Sequence, residues 1–181
     1  MAEFRIETPR LILREWRDED VVPFLAICRD PFVMEFVGPP QSREEVARFV
    51  ASQQQIQAEH GYCNWAIERQ ADSAVIGFCG LKPGPVGTPV AAKTDAGWRL
   101  AHDAWGQGFA RERAAASIAW GFANLRCDAI WAKTVPANTR SWGLMSRLGM
   151  DYVEDANFDH PAFSADDPLR RHVLYSINRR Q

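Results

Sequence analysis

Apolar positions along the chain repeat with two different periods, and the switches between them mark out the elements. "RLILREW" (Arg10 to Trp16) alternates polar and apolar and predicts a half-buried strand. "RDEDVVPFLAICRD" follows, with acids in its first turn and an early proline, both helix-start signals. "SREE" (Ser42 to Glu45) has capping-box spacing and predicts a helix reaching about Glu59. "CNWAIER" and "AVIGFCGL" read as strands separated by a polar turn near Asp72. Lys82 to Thr94, rich in proline and glycine, reads as a surface loop, and "DAGWRL" as the next strand. A long helix then carries Ala115, Ile118, Ala119 and Phe122 on one face. "DAIWAKTV" is a strand, "NTRSWGLMSRLG" a short helix closed by Gly149, and "RHVLYSI" a final strand. This order, β-α-α, a run of strands, then α-β-α-β, predicts an α/β (α+β) fold around one sheet.

Composition narrows the function classes. With 181 residues, the chain suits one well-buried domain, expected over 1–181. A net charge of −2 supplies no broad basic field, so neither nucleic acid nor an anionic membrane is expected as a partner. Cys28, Cys63, Cys79 and Cys127 lack metal-binding spacing, and the four histidines form no HxxxH pair, so no metal site is expected. With no signal peptide and no long apolar run, the cysteines read as reduced thiols, and a cytoplasmic setting is expected.

Gly106 and Gly108 stand at the door of the long helix, where each costs about 0.5–1 kcal/mol relative to alanine in regular structure. Backbone N–H groups at a helix start are unpaired, and the helix dipole favours negative charge there. Glycines let an anion approach those N–H groups, so a phosphate cradle explains both residues. A P-loop is excluded because no Lys-Ser/Thr follows Gly108. A dinucleotide fingerprint is excluded because Arg111 stands where its third glycine belongs.

"WGQGFARE" followed by "VPANTRSWGLMSRLGM" resembles the GCN5-related N-acetyltransferases, and within them the ribosomal-protein-alanine acetyltransferase-like branch. "TPRLILREW", "DPFVME", "GWRL" and "FDHP…HVLY" extend the resemblance from Thr8 to Tyr175 in the expected order. It implies a mixed, mostly antiparallel central sheet, splayed at the cofactor site and flanked by helices. It also implies that Trp105, Gly106, Gln107, Gly108, Phe109 and Ala110 wrap the pyrophosphate of acetyl-CoA. Trp98, Arg99 and Leu100 would lie beside the pantetheine arm, Asn138 would hydrogen-bond it, and Ser141 would face the sulfur. The chain departs from the pattern at three places: Trp105 holds a position often Arg or Gln, Met145 replaces a tyrosine found near the thiolate, and Met150 ends the "LGF" segment.

The chemistry sets its own requirements. A neutral amine must attack the acetyl thioester, giving an oxyanion and then a thiolate. A lysine amine, with reference pKa about 10.4, is almost wholly protonated at neutral pH, and an α-amine at about 7.7–8.0 partly so. A proton acceptor and N–H donors are therefore needed, but neither a metal nor a covalent intermediate. Asp95 is the candidate acceptor, with Glu35 and Glu68 as alternatives, and Ser141 the candidate donor to the thiolate. His160 is expected to order a turn and His172 to pack in a strand. Trp16, Phe36 and Trp65 are expected to wall a pocket for the acceptor, a small-molecule amine or a peptide N-terminus. The protein is expected to be a monomer or homodimer. The rival readings are a non-catalytic acyl-CoA-binding sensor and a nucleotide-binding enzyme.

Overall fold

Strand after strand carries buried side chains on both faces, which requires a sheet covered on each side. In a computed structural model that describes residues 4–179, that sheet has nine strands in the order β1-β2-β3-β4-β5-β6-β9-β7, with β8 pairing β9. The strands are β1 (Arg5–Glu7), β2 (Leu11–Arg14), β3 (Asn64–Arg69), β4 (Val75–Pro83) and β5 (Thr94–Leu100), followed by β6 (Ala129–Thr134), β7 (Asp151–Tyr152), β8 (Phe158–Asp159) and β9 (Arg171–Asn178). Helices α1 (Val21–Arg29), α2 (Pro31–Met34) and α3 (Arg43–His60) precede β3, while α4 (Phe109–Asn124) and α5 (Thr139–Arg147) flank β6. Every pairing is antiparallel except β5 with β6. The mixed, mostly antiparallel sheet with flanking helices is the expected fold.

Local signals place the helices. Ser42 and Glu45 form the anticipated capping box, and Gly61 at φ +80° closes α3. Asp30 caps α2 with Pro31 in its first turn. Alternate residues of the sheet divide its two sides. Phe78 meets Phe24 of α1 and Phe49 of α3, whereas Cys79 lies 3.8 Å from Ser117 of α4. Leu81, Ala96, Ile118, Ile130, Ala132 and Met145 fill the core between the sheet, α4 and α5.

Two expectations are corrected. β2 is buried at all four positions instead of alternating, because helices cover both faces. Its polar residue, Arg14, holds Asp20 through two hydrogen bonds of 2.7 and 2.8 Å and Glu68 through a third of 2.7 Å. The buried face of α4 is not Ala115, Ile118, Ala119 and Phe122: Ala115 and Ala119 are exposed. Phe109, Arg113, Ala114, Ser117, Ile118 and Gly121 face inward instead. The helix lies so close to β4 that a Cβ on Gly121 would fall 2.4 Å from Leu81 Cδ1. Ser117 and Gly121, which meet Cys79 and Leu81 of β4, are small because close approach, not apolarity, selects them.

Candidate active site

β5 and β6 pair over only three positions, Thr94 with Ile130, Asp95 with Trp131 and Ala96 with Ala132. β5 continues to Leu100 while still paired with β4, so its Gly97–Leu100 edge toward β6 is left without a ladder partner. The first turn of α4 follows the C-terminal end of that edge. Gly108 is its N-cap at φ +79°, and no side chain caps it. Gly106 has φ +73°. A side chain on Gly106 would meet nothing within 4 Å, and one on Gly108 only Arg10 Nη2 at 3.5 Å. Crowding by the protein therefore does not explain these glycines. Their left-handed backbone does, and the first N–H groups of α4 remain available to an anion.

The loop is fastened from two sides. Trp105 Nε1 donates to the Leu100 carbonyl at 3.0 Å, tying the loop to the end of β5. Arg10 donates from Nη1 to the Gln107 carbonyl and from Nε to Glu112, both at 2.8 Å, and its guanidinium lies 4.5 Å from the Phe109 ring centroid. The Thr8 hydroxyl also donates to Glu112. Burial pushes the Glu112 carboxyl up, but the hydrogen bonds from Thr8 and Arg10 outweigh it and hold it below the ordinary glutamate value. Sequence reasoning missed this latch. Its only trace is the co-occurrence of "TPR" and the final acid of "WGQGFARE".

Across the open edge stands the N-terminus of α5. Asn138 caps it by accepting from the Ser141 N–H at 3.2 Å, and Ser141 is partly exposed. Met145 is buried one turn further on. Arg140 reaches out to Glu35 at 2.9 Å and lies 4.6 Å from the Trp105 ring centroid and 5.9 Å from that of Phe36. Between the α2 loop and the β8–β9 loop lies a cleft of about 340 Å³, its walls including Met34, Glu35, Pro40, Phe163, Pro168 and Leu169.

Asp95 is only 1% exposed, so it is not a solvated loop carboxylate. One of its oxygens accepts from Lys133 Nζ, and the other is buried without a hydrogen-bond partner. Lys82 stands opposite it in register, and burial lowers the pKa of this lysine. Arg99 extends toward α1 and donates to Cys28 Sγ at 3.2 Å and Gln41 at 3.3 Å, so only its backbone borders the open edge. Trp98 is partly exposed and packs against both core clusters. Glu68 is bound to Arg14.

The acceptor-pocket assignment needs correction at two residues. Trp16 donates to the Asn64 carbonyl at 2.6 Å and Trp65 to Gln57 Oε1 at 2.9 Å, so both indoles are satisfied internally and lie in the core. Phe36 alone of the three stays partly exposed, near Arg140.

Comparisons with known proteins fit this geometry. The model of the acetyltransferase (GNAT) domain matches residues 10–151. An uncharacterized N-acetyltransferase, p20 of Bacillus licheniformis, is 29% identical over 143 residues, covering 78% of this chain and 79% of its own. An acetyltransferase structure from Agrobacterium tumefaciens superposes with a TM-score of 0.79 at 22% identity, covering 99% of this chain and 96% of that one. RimL, a ribosomal L7/L12 alpha-N-protein acetyltransferase in complex with coenzyme A, superposes with a TM-score of 0.78 at 15% identity, covering 97% and 98%.

Proposed function

Given that the chain belongs to the GNAT acetyltransferase family, we propose that it transfers the acetyl group of acetyl-CoA directly to a primary amine in a ternary complex. The observation that carries this reading is the uncapped, glycine-led start of α4 beside the unpaired edge of β5. The N–H groups from Gly108 onward hold the pyrophosphate, and the helix dipole adds to the attraction. Backbone groups of Gly97 to Leu100 take the pantetheine amides as a neighbouring strand would. The Asn138 amide nitrogen, left over from capping α5, turns to the same arm. Backbone donors at this edge also face the oxyanion as it forms.

The amine enters through the cleft between the α2 and β8–β9 loops. Glu35 on its wall reaches Arg140, the neighbour of Ser141, and Phe163 on the opposite wall packs against His160. Either a small amine or a peptide N-terminus suits so open a cleft. Ser141 supplies a proton to the departing thiolate. Because the thiol has a pKa near 8.5, a hydroxyl or a water suffices for this step. Asp95 acts by position: bound to Lys133, it fixes β5 against β6 where the two strands begin to part.

Calorimetry with acetyl-CoA, followed by thiol-release assays on spermidine, phenethylamine and a short alanine-led peptide, tests this reading. Binding with turnover of at least one amine is expected. Absence of both heat and any acetyl-CoA-dependent rise in Tm would remove its basis.

A further inference from the structure

The β8–β9 hairpin holds two imidazoles that the reading above does not use. β8 and β9 pair Phe158 with His172, and the loop between the strands folds His160 and Phe163 onto that pair. The His160 and His172 rings lie 4.9 Å apart between centroids, with Phe158 5.5 Å and Phe163 6.0 Å from His172. Phe163 belongs at once to this box and to the wall of the cleft. The two imidazoles therefore lie behind Phe163, outside the cleft's own lining, with His172 only 9% exposed.

Their hydrogen bonds differ in a way that assigns them different work. His172 Nδ1 sits 3.2 Å from the Arg170 carbonyl, which can only accept, so Nδ1 carries the proton. In the neutral ring, Nε2 is then a lone pair. His160 Nδ1 instead accepts from the Ala162 N–H at 3.2 Å, which leaves the proton of its neutral ring on Nε2. One imidazole is set to receive a proton and the other to donate a hydrogen bond. A general base oriented by a backbone carbonyl at its far nitrogen is a recurrent solution in catalysis.

We infer that His172 Nε2 is the proton acceptor for the attacking amine, with the Arg170 carbonyl fixing its tautomer; this rests on the acetyl-transfer reading. The amine nitrogen forms a bond to the thioester carbonyl carbon, and its N–H proton passes to His172 Nε2 through one bridging water. The C–S bond then breaks with its electron pair on sulfur, and the thiolate takes a proton from water relayed through the Ser141 hydroxyl, which gains one proton as it gives one up. The imidazolium returns its proton to solvent, so that proton release and uptake cancel.

The charges around the pair favour this role. Burial pushes both imidazoles below the ordinary histidine value, and Lys133 of β6 acts in the same direction. His172 itself and Lys82 of β4 add to this at His160, the hydrogen bond to the Arg170 carbonyl opposes it at His172, and Asp95 of β5 opposes it at both, with burial outweighing them. His172 is thus neutral at pH 7 and able to take a proton. Asp95 is a poorer acceptor, since protonating it would break its ion pair with Lys133.

The test is His172→Gln, which can still donate to the Arg170 carbonyl but cannot carry the proton. With whichever of the three amines the wild type acetylates, kcat/KM at pH 7 is expected to fall about 100-fold or more. The rise in Tm on adding acetyl-CoA should be unchanged. The wild-type kcat/KM profile should show an acid limb below pH 6.5, and the variant should instead follow the amine's own ionisation. A variant within about threefold of wild type, with the same profile, overturns the assignment. So does loss of the acid limb in His160→Gln but not in His172→Gln. If His172→Gln fails to fold, a wild-type acid limb above pH 7 still overturns it. A wild type that turns over no amine refutes the acetyl-transfer reading itself, and this inference falls with it.

Discussion

Substituting Gly108 with alanine separates the two reasons a glycine could stand at the start of α4. In the native fold Gly108 has φ +79°, and a Cβ there would lie 3.5 Å from Arg10 Nη2, an ordinary contact. The cost to folding is therefore conformational, about 1–2 kcal/mol for an L-residue in the left-handed region. A chain of this size loses about 2–4 °C of Tm per kcal/mol, so the apo variant should melt about 2–8 °C lower. Binding should suffer more. The new methyl group occupies the approach to the α4 N–H groups, and hydrogen bonds to a charged partner contribute about 1.5–3 kcal/mol each. Losing about 2.7 kcal/mol raises Kd about 100-fold. At acetyl-CoA a hundredfold above the wild-type Kd, ligand stabilises the wild type by about 2.7 kcal/mol and the variant by only about 0.4 kcal/mol. Thermal melts with and without ligand should thus show a shift of about 5–11 °C shrinking to about 1–2 °C. A variant that is unfolded would show the glycine to be structural. One with the full ligand shift would show that the loop does not hold the phosphates.

Arg10→Ala frees the Gln107 carbonyl and Glu112 while leaving the core untouched, so circular dichroism should be retained and calorimetric affinity for acetyl-CoA should fall at least several-fold. Gly121→Val drives a side chain into Leu81 and Ile130, and urea unfolding should show a loss of about 1–3 kcal/mol or more. His160 and His172 bind protons less readily folded than unfolded, so stability should decline as pH falls through about 6.5, the unfolded value, and Tm should drop between pH 7.5 and 5.5. His160→Phe should flatten that slope. Ser141→Ala should lower kcat with little change in acetyl-CoA affinity, measured by steady-state kinetics beside calorimetry.

Features with a local physical signature were legible in the sequence. The Ser42 capping box, the helix end at Gly149 and the glycine-led start of α4 each follow from short-range backbone requirements, and all are found where expected. What the sequence hid depends on distant partners. The inward face of α4 is spelled by Arg113, Ser117 and Gly121, residues that no hydropathy period selects. Trp16 and Trp65 carry polar tips that suggest a pocket, yet each finds its acceptor inside the core. β1, β7 and β8 are two or three residues long, too short to show alternation. The Thr8–Glu112 bond joins residues 104 apart, and no spacing rule connects them. The tautomers of His160 and His172 hang on which backbone group each ring meets, and a sequence does not display that.

The three-residue ladder between β5 and β6 also has a mechanical meaning. Among the described residues it is the one seam in the sheet where neighbouring strands run parallel, and it divides β1–β5 from β6, β9, β7 and β8. A pantetheine arm laid along Gly97 to Leu100 would extend that seam like a splint, adding main-chain bonds where the protein supplies none. Acetyl donor and scaffold are then coupled in both directions. On that arrangement, substrate would stiffen the joint between the two half-sheets, and release of coenzyme A would return it to its looser state at the end of each turnover.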